Sequence, residues 1–134
     1  MSEADRISEL EGLSYFIDLD WFQESGRSFT VVVEHCLCPA CKERLASEPE
    51  AMTSTSLIMN IRDCCSKASG FISPELPLLE KIFRLFLSNG NRSLSLAELI
   101  AQLSLYLDSP TSLSPQTIRR LLDNDQCYGF RQKP

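Results

Sequence analysis

No apolar run in the 134-residue chain approaches the ~20 residues that a membrane-spanning helix needs. Histidine is nearly absent: the single imidazole, His35, lies among cysteines. No Ser/His/Asp spacing accompanies it, and no phosphate loop is visible, so a hydrolase reading has almost no support. Basic charge is also scarce, with 13 Lys+Arg against 18 Asp+Glu and a net charge of −5. Residues 1–70 hold 6 Lys+Arg and 12 Asp+Glu, net −6, whereas residues 71–134 hold 7 and 6, net +1. The first half is therefore a poor surface for phosphates and the second only a mild one. The opening Met1-Ser2-Glu3-Ala4-Asp5-Arg6 is acidic and polar, unlike a secretory signal. The expected location is the cytoplasm, where six cysteines read as metal ligands or core residues rather than disulfides. The chain shows no internal repeat and no low-complexity tract.

What the chain does have is a cysteine cluster. His35-Cys36-Leu37-Cys38-Pro39-Ala40-Cys41 places three cysteines and the histidine within seven residues. Cys64-Cys65 follows, with 22 residues between Cys41 and Cys64. Two thiolates spaced C-x-x-C on a proline-containing turn reach one ion, with backbone N–H groups turned toward the sulfurs. Tetrahedral zinc takes four ligands at about 2.0–2.3 Å. Cys38 and Cys41 are the firmest pair. Cys64 is the natural third, folded back across a polar loop. The fourth is open among Cys65, which is favoured, and the alternates His35 and Cys36. Adjacent residues at a helix end point about 100° apart, so Cys64 and Cys65 both reach one ion only where the helix frays. Cys127 stands alone in the expected terminal strand and reads as a buried, unligated core cysteine.

Two rival chemistries use the same atoms. An iron–sulfur cluster would take Cys36, Cys38, Cys41 and Cys64, but C-x-C-x-x-C does not match the common ferredoxin runs. A thiol redox centre wants a strand before the C-x-x-C and a long helix after it, and Pro49 leaves little room for that helix. A closed four-ligand zinc site has no open coordination position, which makes it structural rather than catalytic.

With 43% hydrophobic residues the chain can bury a sizeable core. The fold class expected is mainly α: a metal-stapled Cys-rich part over residues 1–70 and a three-helix part over residues 71–134, with little strand. Residues 3–11 read as an acidic amphipathic helix with Ile7 and Leu10 on one face, ended by Gly12. Ile17-Asp18-Leu19 alternates like a strand, and Asp20 with Gln23 suggests a cap for one turn closed by Gly26. Phe29-Thr30-Val31-Val32-Val33 is β-branched and reads as a strand, with a short helix to Leu37 as the alternative. Lys42 to Ala46 reads as a helical turn, Ser47 to Ser56 as a polar loop, and residues 56–65 as a helix.

In the second part, Ser73-Pro74 is placed to cap and open a helix with a stripe of Leu79, Ile82, Phe83, Phe86 and Leu87. Ser95 with Glu98 forms a capping box before a helix burying Leu96, Leu99, Ile100, Leu103 and Leu107. Asp108-Ser109-Pro110 stops that helix. Ser114-Pro115 opens a third, with Leu113 and Ile118 as its hydrophobic staple and Ile118, Leu121 and Leu122 as its core face. Cys127 to Arg131 reads as a terminal strand.

Three short capped helices followed by a strand, over Leu76–Ser88, Leu96–Leu107, Pro115–Asp123 and Cys127–Arg131, resemble the winged helix-turn-helix superfamily. The resemblance implies that the third helix enters the major groove of duplex DNA. It makes Gln116, Thr117, Arg119 and Arg120 candidate base or phosphate contacts, with Arg131 and Lys133 near a wing. Such folds also serve as protein-interaction modules. Departures are the long Asp108–Ser114 connection and a single local strand where a wing has two. Ile17-Asp18-Leu19-Asp20-Trp21-Phe22, Cys38-Pro39-Ala40-Cys41 and Phe83–Asn91 also give the chain a likeness to small uncharacterised bacterial proteins, which implies no activity. The expected function is a non-enzymatic regulatory or adaptor module with a zinc staple, binding DNA or a partner protein. The alternative is an iron–sulfur or thiol redox sensor.

Overall fold

A computed structural model describes residues 3–107 and 113–134, with no side-chain description for residues 3–5 or Ile7. The expected stop at Asp108-Ser109-Pro110 and the apolar face formed by Ile7 lie outside the described residues. The chain is mainly helical. In order, the elements are α1 (Glu3–Glu11), β1 (Ser14–Ile17), α2 (Leu19–Glu24), α3 (Phe29–Glu34), α4 (Pro39–Ser47), α5 (Ser54–Asp63), α6 (Leu78–Ser88), β2 (Leu94–Ser95), α7 (Leu96–Leu103), α8 (Pro115–Asp123) and β3 (Phe130–Gln132). Single 3-10 turns at Pro49–Ala51, Cys65–Lys67 and Ser104–Tyr106 join or extend them.

Among the described residues the strands form one antiparallel sheet in the order β2-β1-β3. Tyr15 pairs with Leu94 on one side and Gln132 on the other. The central strand thus comes from the cysteine-rich part and both edge strands from the helical part. The buried apolar residues likewise form one cluster, running from Tyr15 through Ile61 to Leu122.

α6 is the central helix of that cluster. Ile82, Phe83, Phe86 and Leu87 are fully buried, at the i, i+1, i+4, i+5 spacing of one wide helical face. The Phe83 ring lies 6.4 Å from Phe29, 4.7 Å from Tyr128 and 6.4 Å from Phe130. Its ring therefore joins α3, the 125–129 turn and β3. Full burial of such a side chain contributes about 2–3 kcal/mol.

Several sequence expectations are met. Ser95 and Glu98 form the reciprocal capping box of α7. Ser114 caps α8 by accepting the Thr117 N–H, with Pro115 at the first helical position. Others are corrected. Phe29–Val33 is not a strand but α3. The Ser28 hydroxyl accepts the Val31 N–H and starts a helix that buries Phe29 and Val33, four residues apart, on one face. A cap plus a buried i, i+4 pair outweighs the β preference of three valines. The strand at residues 17–19 lies earlier, at Ser14–Ile17, because Asp18 caps α2. Asp18, not Asp20, is the cap residue: its Oδ1 accepts the Asp20 N–H at 3.1 Å. Ser73-Pro74 makes a turn, closed by Leu76 N–H to Ser73 O at 3.1 Å, and α6 begins only after Pro77. Helix 96–107 is α7 to Leu103 followed by a 3-10 turn. The terminal strand begins at Phe130 because Asp125 Oδ1 and Oδ2 take the Cys127 and Tyr128 N–H groups into a turn.

Candidate metal centre

Two helix ends bring the cysteines together. After α3, Cys36 and Leu37 close the helix on Val33 and Glu34 carbonyls. Cys38 then turns extended, at φ −72 and ψ 162, and becomes the N-cap of α4. Pro39, at the first helical position, fixes the turn and leaves no N–H to satisfy. Cys41 sits three residues into the helix, so its sulfur and that of Cys38 share the same end of α4. From the other side, α5 stops at Asp63. Cys64 is its C-cap, with φ −128 and ψ −68, and its N–H reaches Asn60 O at 2.9 Å. That break in the helix sends Cys64 and Cys65 toward α4.

The sulfurs of Cys38, Cys41 and Cys64 all lie within 4.8 Å of one another and could hold a metal ion. The Cys38 and Cys64 sulfurs are 3.5 Å apart. A tetrahedral ion with sulfurs at about 2.3 Å spaces them by roughly 3.8 Å, so the cluster is near the size that such an ion imposes. Three soft sulfur donors suit zinc, copper(I) or iron–sulfur chemistry and disfavour hard cations such as magnesium or calcium. Cys65, the favoured fourth ligand, is not one of the three sulfurs that all lie within 4.8 Å of one another; it is buried beside them, and its sulfur accepts the Cys38 backbone N–H at 3.2 Å. An N–H aimed at a sulfur is the support a thiolate ligand uses.

The electrostatics of Cys38, Cys41 and Cys65 diverge. The Cys38 thiol is lowered to about 7, chiefly by the Cys41 backbone N–H at the start of α4. Burial raises the Cys41 thiol well above its ordinary range, and hydrogen bonds with Cys65 and Cys38 add to that. Burial raises Cys65 as well. Crowded sulfurs cannot all ionise beside one another, whereas a divalent cation among them reverses that penalty.

The alternates lie elsewhere. His35 is half-exposed and turned to α6, with Nε2 3.3 Å from Glu80 Oε1. Cys36 is buried, with its sulfur 3.9 Å from His35 Nε2, and burial pushes its thiol up to about 11. Neither belongs to the three-sulfur group. The sequence did not reveal the His35–Glu80 pairing, because its partners are 45 residues apart and carry no shared motif. Cys127 is not a buried core cysteine but exposed, because Asp125 draws its N–H into the turn before β3.

The residues considered for nucleic acid are distributed as follows. Gln116, Thr117, Arg119 and Arg120 are exposed on α8. Gln116, Arg119 and Arg120 line a shallow groove of ≈ 450 Å³ with Leu10, Asp123 and Asn124. Arg119 Nε lies 3.4 Å from Asp123 Oδ2, and Arg131 Nε lies 2.8 Å from Asp18 Oδ2. Thr117 Oγ1 accepts the Ser114 hydroxyl at 2.8 Å within the helix cap. Two of the three arginines therefore already face a carboxylate. Among the described residues no helix is long and apolar enough to cross a membrane.

No protein-family model, curated protein or solved structure matches this chain.

Proposed function

We propose that the chain is a non-catalytic adaptor whose zinc–thiolate centre fastens the start of α4 to the end of α5. The observation that carries this reading is the meeting of Cys38, Cys41 and Cys64 sulfurs within 4.8 Å, supplied by two separate helix ends. Cys65 is the fourth ligand in this reading. Its burial and the Cys38 N–H on its sulfur support that role. Four protein ligands leave no open position for a substrate, so the metal contributes folding free energy rather than chemistry. Zinc is favoured over an iron–sulfur cluster because Cys36, which the cluster spacing needs, is buried toward His35.

The interaction surface in this reading is the exposed face of α8, with Gln116, Arg119 and Arg120 beside Asp123 and Asn124. Mixed charge and the pairing of Arg119 with Asp123 favour a protein partner over a phosphate backbone. Elemental analysis of the untreated protein tests the metal. One zinc per chain, lost in Cys38→Ser, is the expected result, and a metal-free or iron-containing protein overturns it. A gel-shift titration on duplex DNA tests the surface. Salt-sensitive binding that disappears in Arg119→Ala/Arg120→Ala would move the assignment to DNA.

A further inference from the structure

The three clustered thiols and the neighbouring Cys65 are not equally accessible. Cys41 and Cys65 are buried at 3% and 1%, whereas Cys38 is half-buried and Cys64 is exposed. One edge of the cluster, Cys38 to Cys64, therefore faces solvent. Its two sulfurs are 3.5 Å apart and belong to different elements, the N-cap of α4 and the C-cap of α5. A disulfide needs them at about 2.05 Å, a closure of roughly 1.5 Å. Cys64 is the C-cap of α5, between that helix and the 3-10 turn Cys65–Lys67, and it is exposed.

We infer that the Cys38–Cys64 edge is an oxidation site at which a peroxide joins the two sulfurs and expels the metal. This inference rests on the zinc reading above for its second half only. The exposed Cys64 sulfur attacks the peroxide: an S–O bond forms, the O–O bond breaks, and the departing hydroxide takes a proton to become water. The Cys38 sulfur then attacks the sulfenic sulfur of Cys64. The S–S bond forms, the S–O bond breaks, and a second hydroxide leaves as water after taking a proton. Two thiolates, one peroxide and two protons give one disulfide and two waters, with two electrons passing from sulfur to oxygen. The zinc loses two of its thiolates and departs, and Cys41 and Cys65 take up protons. The buried pair is shielded from the oxidant, so the reaction stops at a bond that still ties α4 to α5. Reduction by a thiol reopens the site.

The test uses the full chain carrying Cys127→Ser, which removes the exposed thiol outside the cluster. The protein is purified without oxygen, its metal is measured, and hydrogen peroxide is added in substoichiometric steps. A chromogenic chelator follows zinc release, and mass spectrometry of unreduced peptides maps the linkage. Two thiols lost per zinc released, with Cys38 joined to Cys64 and recovery on reduction, is the expected result. Retention of zinc with all thiols intact overturns the inference, as does a linkage through Cys41 or Cys65 or oxidation that ends at sulfinate. A protein purified without zinc defeats the staple reading. The same peptide map then decides the oxidation site alone: a Cys38–Cys64 bond supports it, and any other pattern overturns it.

Discussion

Asn91 serves Ile17 as a substitute strand. Its Oδ1 accepts the Ile17 N–H at 2.9 Å, and its Nδ2 donates to the Ile17 carbonyl at 2.9 Å. One side chain thus satisfies both backbone groups at the end of β1, directly after α6. Asn91 does so from a left-handed backbone conformation, φ 61, which asparagine tolerates better than most residues. Asn91→Gly keeps the backbone and loses both bonds, at an expected cost of about 1–2 kcal/mol. Asn91→Ala adds left-handed strain of about 1–2 kcal/mol. Urea denaturation should rank the variants in that order.

Tyr15 supplies a pH signature. It is fully buried, and its hydroxyl donates to Asp123 Oδ1 at 2.7 Å. Burial, then the hydrogen bond and charge of Asp123, raise its ionisation well above the ordinary 10.0. A raised folded-state pKa means that the unfolded chain releases the proton first. The stabilisation is therefore complete below pH 10 and is lost as pH climbs beyond it. Ultraviolet titration should show Tyr15 ionising only with alkaline unfolding. Tyr15→Phe should flatten the fall in melting temperature above pH 10.

Gly129 marks a close approach. A Cβ there would lie 3.0 Å from Trp21 Cε3, 3.1 Å from Phe22 Cε2 and 3.2 Å from Asp18 O, at φ +70. Two rings and a backbone carbonyl cannot all retreat. Gly129→Ala is expected to cost more than about 2 kcal/mol, read as a lower midpoint in thermal or urea melts.

The cysteines should separate into two groups. Cys41→Ser removes a buried thiol of the three-sulfur group and, under the proposed zinc reading, is expected to lower stability by about 3 kcal/mol, or roughly 10 °C in melting temperature. Cys127→Ser, at an exposed position, should stay within about 0.5 kcal/mol. Differential scanning calorimetry checks both.

Cobalt substitution counts the ligands. A tetrathiolate centre gives a sulfur-to-cobalt charge-transfer band whose intensity grows with the number of sulfurs. Cys65→Ser should lower that band while retaining a bound ion, and Cys36→Ser should leave it unchanged. A band untouched by Cys65→Ser would leave Cys38, Cys41 and Cys64 as the only cysteine ligands.

Capping chemistry made α7 and α8 legible, while it misplaced the start of α6, which follows Pro77 rather than Ser73-Pro74. Ser95 with Glu98, and Ser114 with Pro115, each commit a helix start through a bond within a few residues, and the fold adds nothing to that choice. Phe29–Val33 was not legible from composition, because Val31 and Val32 favour strands and only tertiary burial of Phe29 and Val33 decides for helix. The sheet was not legible either. β1 pairs with residues about 80 and 115 positions away, and nothing local signals such partners. At the site, Cys38 and Cys41 were legible because their spacing and Pro39 act locally. Cys64 followed from position after a polar loop. Cys65 and the alternates were undecided because the direction of each side chain depends on where α5 breaks, and that break is set by packing.

The central position of β1 also orders events during synthesis. Its edge partners, residues 94–95 and 130–132, leave the ribosome long after it does. Tyr15 waits for Asp123, 108 residues later, before its hydroxyl is satisfied. Cys38, Cys41, Cys64 and Cys65 are all available once residue 65 has emerged. The nascent chain can therefore close its thiol cluster first and its sheet last, with the earliest-made strand among the last elements to find its place.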